Sequence, residues 1–388
     1  MTIVMTTHIF PRVLDLSAIL EEKSYFLLGP RQTGKSTLIS QSKFDGPIFD
    51  LNNEVDFFRI GQNPENLSSF ITDEVKVVVI DEIQRAPNVL NHVHHLIETR
   101  GVHFLLTGSS ARKLRQGGVN LLGGRARILH FHPLLKRELS DSFKLERALE
   151  FGTIPSIYSS SNPSLDLEAY LGTYLRQEIL AEGFVRNLQP FRRVLDIAAL
   201  CNATIVNFTN VANDAQVPRS TVYEYFNLLC DTLIVHELPA WRRSRFRKPI
   251  VASKYYFFDI GVAGALQRSV GRGFASLERG QAFETWFLHE LRAWIDYNQR
   301  DETLLHWRSQ TGFEVDFLLG EHTAIELKAK KWVTGADLKG LQALREEESF
   351  KNYLCICLED RPRQLDGIDI LPYEMFLDAL WQDRYCGD

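Results

Sequence analysis

Cysteine is scarce in this chain of 388 residues: Cys201, Cys230, Cys355, Cys357 and Cys386 are all it has. The count is odd and no pair shows CxxC or zinc-type spacing, which reads as a reduced, intracellular chain rather than a disulfide framework. Long apolar runs are missing as well, none approaching the roughly 20 residues of a membrane span. The first residues lack the basic start and long apolar core of a signal peptide. We therefore expect a cytoplasmic protein with no membrane partner. Positive charge is not in excess either. A net charge of −5 argues against a uniformly basic nucleic-acid coat, so any such binding must use local patches. Repeats and low-complexity linkers are absent. What remains is ordinary: 45% hydrophobic residues, enough for buried cores, and a length that suits two or three domains.

Against that background two segments stand out. Gly29-Pro30-Arg31-Gln32-Thr33-Gly34-Lys35-Ser36 has the form GxxxxGK[ST], the P-loop, and Val77-Val78-Val79-Ile80-Asp81-Glu82 follows as an apolar strand ending in two acids. Small residues let successive backbone N–H groups of such a loop, Gly29 through Thr37, point at phosphate oxygens, and the helix that follows adds its positive end. Lys35 is then expected to reach the β/γ-phosphates, and Ser36 and Asp81 to hold Mg²⁺. Glu82 is placed to polarise the attacking water. ATP and Mg²⁺ are the expected cofactors. Strand-like runs at Tyr25-Leu28, Ile48-Leu51, Val77-Ile80, His103-Thr107 and Ile128-Phe131 alternate with helical stretches, which predicts a parallel sheet with right-handed crossovers.

The strand Leu105-Leu106-Thr107-Gly108-Ser109-Ser110 ends in polar residues, of which Thr107, then Ser109, is the better placed to sense a γ-phosphate. Beyond it Gly124-Arg125-Ala126-Arg127 offers an arginine finger to a neighbouring subunit, Arg125 first and Arg127 second. Such a finger implies at least a dimer, and a ring is compatible with it. The competing reading for either arginine is a surface salt bridge.

Asp81-Glu82-Ile83-Gln84-Arg85-Ala86-Pro87, Thr107-Gly108-Ser109-Ser110 and Gly124-Arg125 resemble a group of prokaryotic AAA-type ATPases. That group has a Gly-x-Pro-like turn in its helical lid, and this chain has Gly152-Thr153-Ile154-Pro155, one residue longer. The resemblance covers nearly the whole chain and implies a restriction-endonuclease-like domain after the ATPase. The implied organisation is α/β: an ATPase core over 1–135, a helical lid over 136–190, a winged-helix-like module over 191–240 and a mixed α/β nuclease-like domain over 241–388.

In the middle module Thr209–Ala215 reads as a short helix capped by Thr209, and Pro218 opens a second helix. That is the pattern of a winged helix-turn-helix, whose DNA-facing residues would be Arg219, Ser220 and Tyr223. A protein-contact module fits the same pattern. The next segment, Trp241 to Lys248, carries Arg242, Arg243, Arg245 and Arg247 interleaved with aromatics, which suits a phosphate backbone and stacked bases. A linker that contacts acids elsewhere in the chain is the alternative.

Phe313–Leu319 and Ala324–Ala329 both alternate, which predicts a hairpin looped at 320–322. Val315, Phe317, Leu319, Ile325 and Leu327 should share one buried face, with Glu314, Asp316, Glu326 and Lys328 on the other. Asp316 then faces Glu326, a repulsive pair that a divalent cation would relieve, and Lys328 could activate water beside it. Glu284 lies upstream on the apolar stripe of a helix. The order Glu284 … Asp316 … Glu326-x-Lys328 resembles the PD-(D/E)xK nuclease core, and Lys254–Gly261 resembles the strand that leads into that domain, with Asp259 as a supporting acid. The alternative is an internal salt-bridge network. Three functions remain in play: an ATP-driven nuclease-like DNA-processing protein, a DNA-remodelling motor whose nuclease-like part does not cut, and a nucleotide-switched protein-binding module.

Overall fold

The structure is a computed structural model and describes residues 9–109, 112, 122–175, 188–385 and 387. Ser110, residues 176–187 of the expected lid, and Cys386 lie outside the described residues. Five parallel strands, β1 (Ser24–Leu28), β2 (Ile48–Asp50), β3 (Val77–Asp81), β4 (His103–Gly108) and β5 (Ala126–His130), form one sheet in the order β2-β3-β4-β1-β5. The central strands are apolar on both sides because both faces are covered. Phe26, Val78, Ile80, Phe104 and Leu106 pack with Val89, Leu90, Val93 and Leu96 of the helix Val89–Arg100. Tyr25, Leu27, Val79 and Leu105 pack on the opposite face with Leu38, Ile39, Phe131, Ala293 and Tyr297. The last two come from far down the chain.

After the sheet the chain runs through short helices, Lys136–Leu139, Leu145–Phe151, Pro155–Tyr158 and Pro163–Ala169. The middle module is built on α-helices Leu188–Leu200, Phe208–Ala215 and Arg219–Asp231. The cap of Phe208–Ala215 is Asn207, whose side chain accepts from the Thr209 and Asn210 N–H groups, and not Thr209. Gln216 turns the chain with φ 54°, doing without the usual glycine. A three-stranded antiparallel sheet of β6 (Thr204–Ile205), β7 (Val235–Leu238) and β8 (Lys254–Phe257) completes the module, with β8 in the middle. The boundary expected at residue 240 therefore falls inside this sheet.

The C-terminal sheet has the order β13-β14-β12-β11-β10-β9, from β9 (Leu304–Arg308), β10 (Glu314–Leu319), β11 (Thr323–Lys328), β12 (Asn352–Cys357), β13 (Arg363–Leu365) and β14 (Ile368–Pro372). The β10–β11 hairpin pairs Phe317 with Ile325 and Leu319 with Thr323, so one more step sets Asp316 opposite Glu326. The faces differ from the expectation. Phe317, Leu319, Ile325 and Leu327 meet the long helix Ser276–Tyr297, whereas Val315, Leu318 and Ala324 pack with Leu341 and Leu344 of the helix Lys339–Glu347. An irregularity in the β9–β10 pairing between Val315 and Leu318 breaks the alternation, which is why Val315 and Phe317 part company. Both faces of the hairpin are buried.

Candidate functional site

The P-loop leaves β1 and enters the helix Lys35–Gln41 through Gly34, whose φ of 99° suits a residue without Cβ. Gly29 lies so close to β5 that a Cβ there would meet the Phe131 carbonyl oxygen at 2.3 Å. Lys35 Nζ donates to the carbonyls of Gly29 (2.6 Å) and Pro30 (3.0 Å), and the Thr33 hydroxyl also closes on Pro30 O at 2.8 Å. Ser36 Oγ donates to Asp81 Oδ2 at 2.8 Å. Thr107 donates to Asp81 Oδ1 and accepts from the Glu82 N–H at 3.2 Å. Thr107 thus reaches the two acids across from β4 and orients Asp81. Ser109 is buried at the end of the same strand. Glu82 itself adopts φ 60°, ψ 45°, an uncommon left-handed conformation for a residue with a side chain.

A cleft of about 500 Å³ opens over these groups. Arg31, Gln32, Gly34, Lys35, Ser36, Thr37 and Glu82 line it as the motif predicts. The cleft is also lined by residues the motif does not announce: Phe10, Arg12 and Asn52, with Pro155, Ser156 and Ser159 from the short lid helix and its cap. Ser156 Oγ donates to Gln32 Oε1 at 3.1 Å, so the longer Gly152–Pro155 turn still delivers a lid contact. Oxygen donors from Ser36 and Asp81, held together and already oriented by Thr107, suit Mg²⁺.

Arg12 ties this cleft to the rest of the molecule. Its buried guanidinium donates to Thr33 O (2.8 Å), His132 O (2.7 Å) and Tyr297 Oη (3.3 Å), pairs with Glu138 at 3.0 Å and lies over the Phe131 ring. The His132 N–H also donates to Tyr297 Oη, at 3.1 Å. Only the fold could disclose these contacts, since no spacing links position 12 to a loop twenty residues on or to a helix near the other end.

The second constellation also assembles, but around a lysine. Lys254 Nζ, buried, stands 2.8 Å from Glu284, 2.6 Å from Glu314 and 3.7 Å from Asp316. Tyr256 donates to Glu284, Lys328 to Glu326, and the Leu327 N–H to Asp316 Oδ2 at 2.8 Å. Burial pushes Glu284 up to about 7 even with Lys254 opposing it. Glu326 is also raised well above the ordinary carboxylate range, by burial and by the facing Asp316, against the pull of Lys328. Burial would lower Lys254, yet Glu284 and its neighbouring groups hold its ammonium well above the ordinary lysine range. The residues do not fit a divalent ion, since ammonium groups take up the carboxylates, and among the described residues no cluster of three or more His, Cys, Asp or Glu is placed to hold a metal. Lys254 was legible as an oddity, a lysine in the apolar strand Lys254–Phe257, and a buried cation requires acids. Asp259 is not part of this cluster. It caps the helix Ile260–Leu266 and accepts from the Thr153 N–H at 2.7 Å, and burial raises it to about 6.

The remaining candidates separate. Arg219, Ser220 and Tyr223 are exposed together, with Arg219 donating to Tyr223 Oη at 3.0 Å and Tyr223 stacked on Phe208. In the arginine-rich segment Arg243 pairs with Glu321, Arg245 with Glu348, and Arg247 with Glu346 and Glu347. Burial acts against Glu347 ionising, but hydrogen bonds from the Phe246 N–H, the Arg247 side chain and the Arg245 N–H bring its carboxyl to about 2. These three arginines anchor the linker to the C-terminal domain; Arg242 is exposed. Arg125 pairs with Glu98, and Arg127 with Glu22 and the Tyr25 hydroxyl, all within the chain.

Comparison with known proteins agrees with the geometry of the first site. Residues 21–140 match the model of an AAA domain. The N-terminal unit is a P-loop ATPase domain of AAA type. Residues 142–272 match one domain of unknown function, DUF8612, and residues 279–376 another, DUF4143. The first of these matches runs past residue 240, as the three-stranded sheet does. Uncharacterized proteins of Mycobacterium tuberculosis and Mycobacterium bovis are each 27% identical over 315 residues, covering 78% of this chain and 69% of theirs. Among solved structures, the Aeropyrum pernix Orc1 protein in complex with DNA overlaps at a TM-score of 0.26 and 13% identity, covering 67% of this chain and 94% of that one. No helix among the described residues is long and apolar enough to cross a membrane.

Proposed function

We propose that the protein binds Mg²⁺-ATP in the P-loop cleft and hydrolyses it, and that turnover governs contact between the middle module and DNA. The observation that carries this reading is the Asp81 carboxylate, held by Ser36 on one side and Thr107 on the other, with Ser36 and the adjacent Glu82 lining the cleft. Its side-chain partners among the described residues are hydroxyls, not cations. Lys35 exchanges the Gly29 and Pro30 carbonyls for the β/γ-phosphates, and Ser36 and Asp81 hold the ion. When bound there, Mg²⁺ would supply charge neutralisation at the phosphates. Glu82 accepts from the attacking water.

The exposed Arg219, Ser220 and Tyr223 supply the DNA contact, through phosphate and base stacking. The C-terminal sheet acts as a scaffold that does not cut, because cleavage would require Lys254 to leave Glu284, Glu314 and Asp316. The test is ATP hydrolysis by wild type, Glu82→Gln and Tyr223→Ala with and without single-stranded, duplex and branched DNA, with end-labelled DNA tracking cleavage beside Asp316→Ala. DNA-stimulated hydrolysis that Tyr223→Ala weakens, with intact DNA throughout, is the expected result. Cleavage lost in Asp316→Ala would restore the nuclease reading. Hydrolysis indifferent to every DNA would hand the exposed helix face to a protein partner.

A further inference from the structure

Gln84, two residues past Glu82, has no role in the scheme above. Its amide Nε2 donates to Glu82 Oε2. The opposite amide orientation would set two acceptors against each other, so the contact fixes which end faces Glu82. Oε1 is then buried and, among the described residues, accepts no hydrogen bond. Buried acceptors are ordinarily satisfied, and the exceptions gather at working sites. The backbone is shaped around this arrangement. Glu82 sits in the left-handed region, and the tight turn Ile83–Arg85 folds Gln84 back alongside it. Position 108 is glycine where a Cβ would come within 2.4 Å of Gln84 Oε1. The Gly108 carbonyl in turn accepts from the Gly29 N–H at 3.2 Å, which places the amide next to the start of the P-loop.

We propose that Gln84 is a further catalytic residue of the hydrolytic site. Nε2 holds the Glu82 carboxylate in place, and Oε1 accepts one hydrogen of the attacking water while Glu82 accepts the other. In the step this geometry serves, the water oxygen forms a bond to the γ-phosphorus. The bond from that phosphorus to the β,γ-bridging oxygen breaks, and its electron pair leaves on ADP. The water proton passes to Glu82 and on to solvent. Gln84 exchanges no proton; it sets the direction of attack.

The proposal rests on the Mg²⁺-ATP reading, and one panel separates the two. Steady-state hydrolysis and binding of a non-hydrolysable ATP analogue are measured for wild type, Glu82→Gln, Gln84→Ala and Gln84→Met. The methionine variant keeps the volume against Gly108 while removing donor and acceptor. Both Gln84 variants should lose roughly 100-fold in kcat through misdirected attack, with analogue affinity kept within about twofold. Turnover lost in Glu82→Gln but retained in Gln84→Met overturns this proposal alone. A rise in KM with kcat unchanged does the same. Absence of turnover in the wild type overturns both readings.

Discussion

The nucleotide cleft and the C-terminal acid cluster each set carboxylates on strands beside a lysine, and only one of them retains charge for a cation. Asp81 is held by two hydroxyls, which orient it without neutralising it. Glu284, Glu314 and Asp316 surround the Lys254 ammonium, and Glu326 takes Lys328. Counting acids does not distinguish these sites; counting what already balances them does. A motif specifies the ligands of an ion but is silent on an ammonium delivered from another part of the chain, here from β8 of the middle module.

Breaking the comparison is simplest on the nucleotide side. Lys35→Ala should abolish hydrolysis, a loss of roughly 100-fold or more because one fixed charge facing the developing phosphate charge is removed. Phosphate release checks it, and the fold should melt as before. On the other side, Lys254→Met leaves the buried Asp316 and the half-buried Glu284 and Glu314 without their common partner. A loss of about 3–5 kcal/mol is expected in urea unfolding. A variant that unfolds like the wild type would mean that water or an ion can replace the ammonium, and the two sites would then be more alike than the structure makes them.

A subtler contrast lies in pH. Glu284 is raised to about 7 from an ordinary 4.5. Between those values the folded protein retains a proton that the unfolded chain has released. The stability that Glu284 contributes is therefore present below pH 4.5 and lost as pH rises through 7. Glu284→Gln should flatten that decline, read as a smaller difference in urea midpoint between about pH 5 and about pH 8. Parallel profiles would show Glu284 ionised against Lys254 throughout. The smallest effect expected is that of Tyr297→Phe, which removes one hydroxyl that both Arg12 and the His132 N–H use. It should cost about 1 kcal/mol in stability and weaken ATP binding slightly, as calorimetry can measure.

The nucleotide half was legible in the sequence because its determinants are local. The P-loop residues are consecutive, and an apolar strand ending in acids fixes Asp81 and Glu82 by the geometry of the strand alone. The hairpin register was legible for the same reason, since Asp316 and Glu326 are related by one short loop. What the sequence hid was long-range. Arg12, Asn52 and Ser156 reach the cleft from separate segments, and Lys254 enters the acid cluster from a strand assigned to the wrong side of a boundary. The expected alternation on β10 failed at Val315 because a pairing irregularity, invisible in residue types, changes which way a side chain points. The arginine-rich linker misled by composition: Arg243, Arg245 and Arg247 meet carboxylates that only the folded helix Lys339–Glu347 and its neighbours bring near.

The helix Ser276–Tyr297 has 22 residues, and at 1.5 Å per residue it is about 33 Å long. Glu284 in its first half belongs to the acid cluster, Phe283 to Trp294 to the main core, and Ala293 and Tyr297 to the face of the ATPase sheet. For anyone dividing this protein into pieces, that helix is an indivisible part. A fragment ending before it would take Ala293 and Tyr297 out of the cluster that holds Tyr25, Leu27 and Phe131, and a fragment beginning with it would carry an orphaned apolar end. The same constraint applies to inheritance. Recombination that exchanged the last third for an unrelated domain would have to supply a substitute for Ala293 and Tyr297 in the same event, so the ATPase and its C-terminal sheet are bound to travel together.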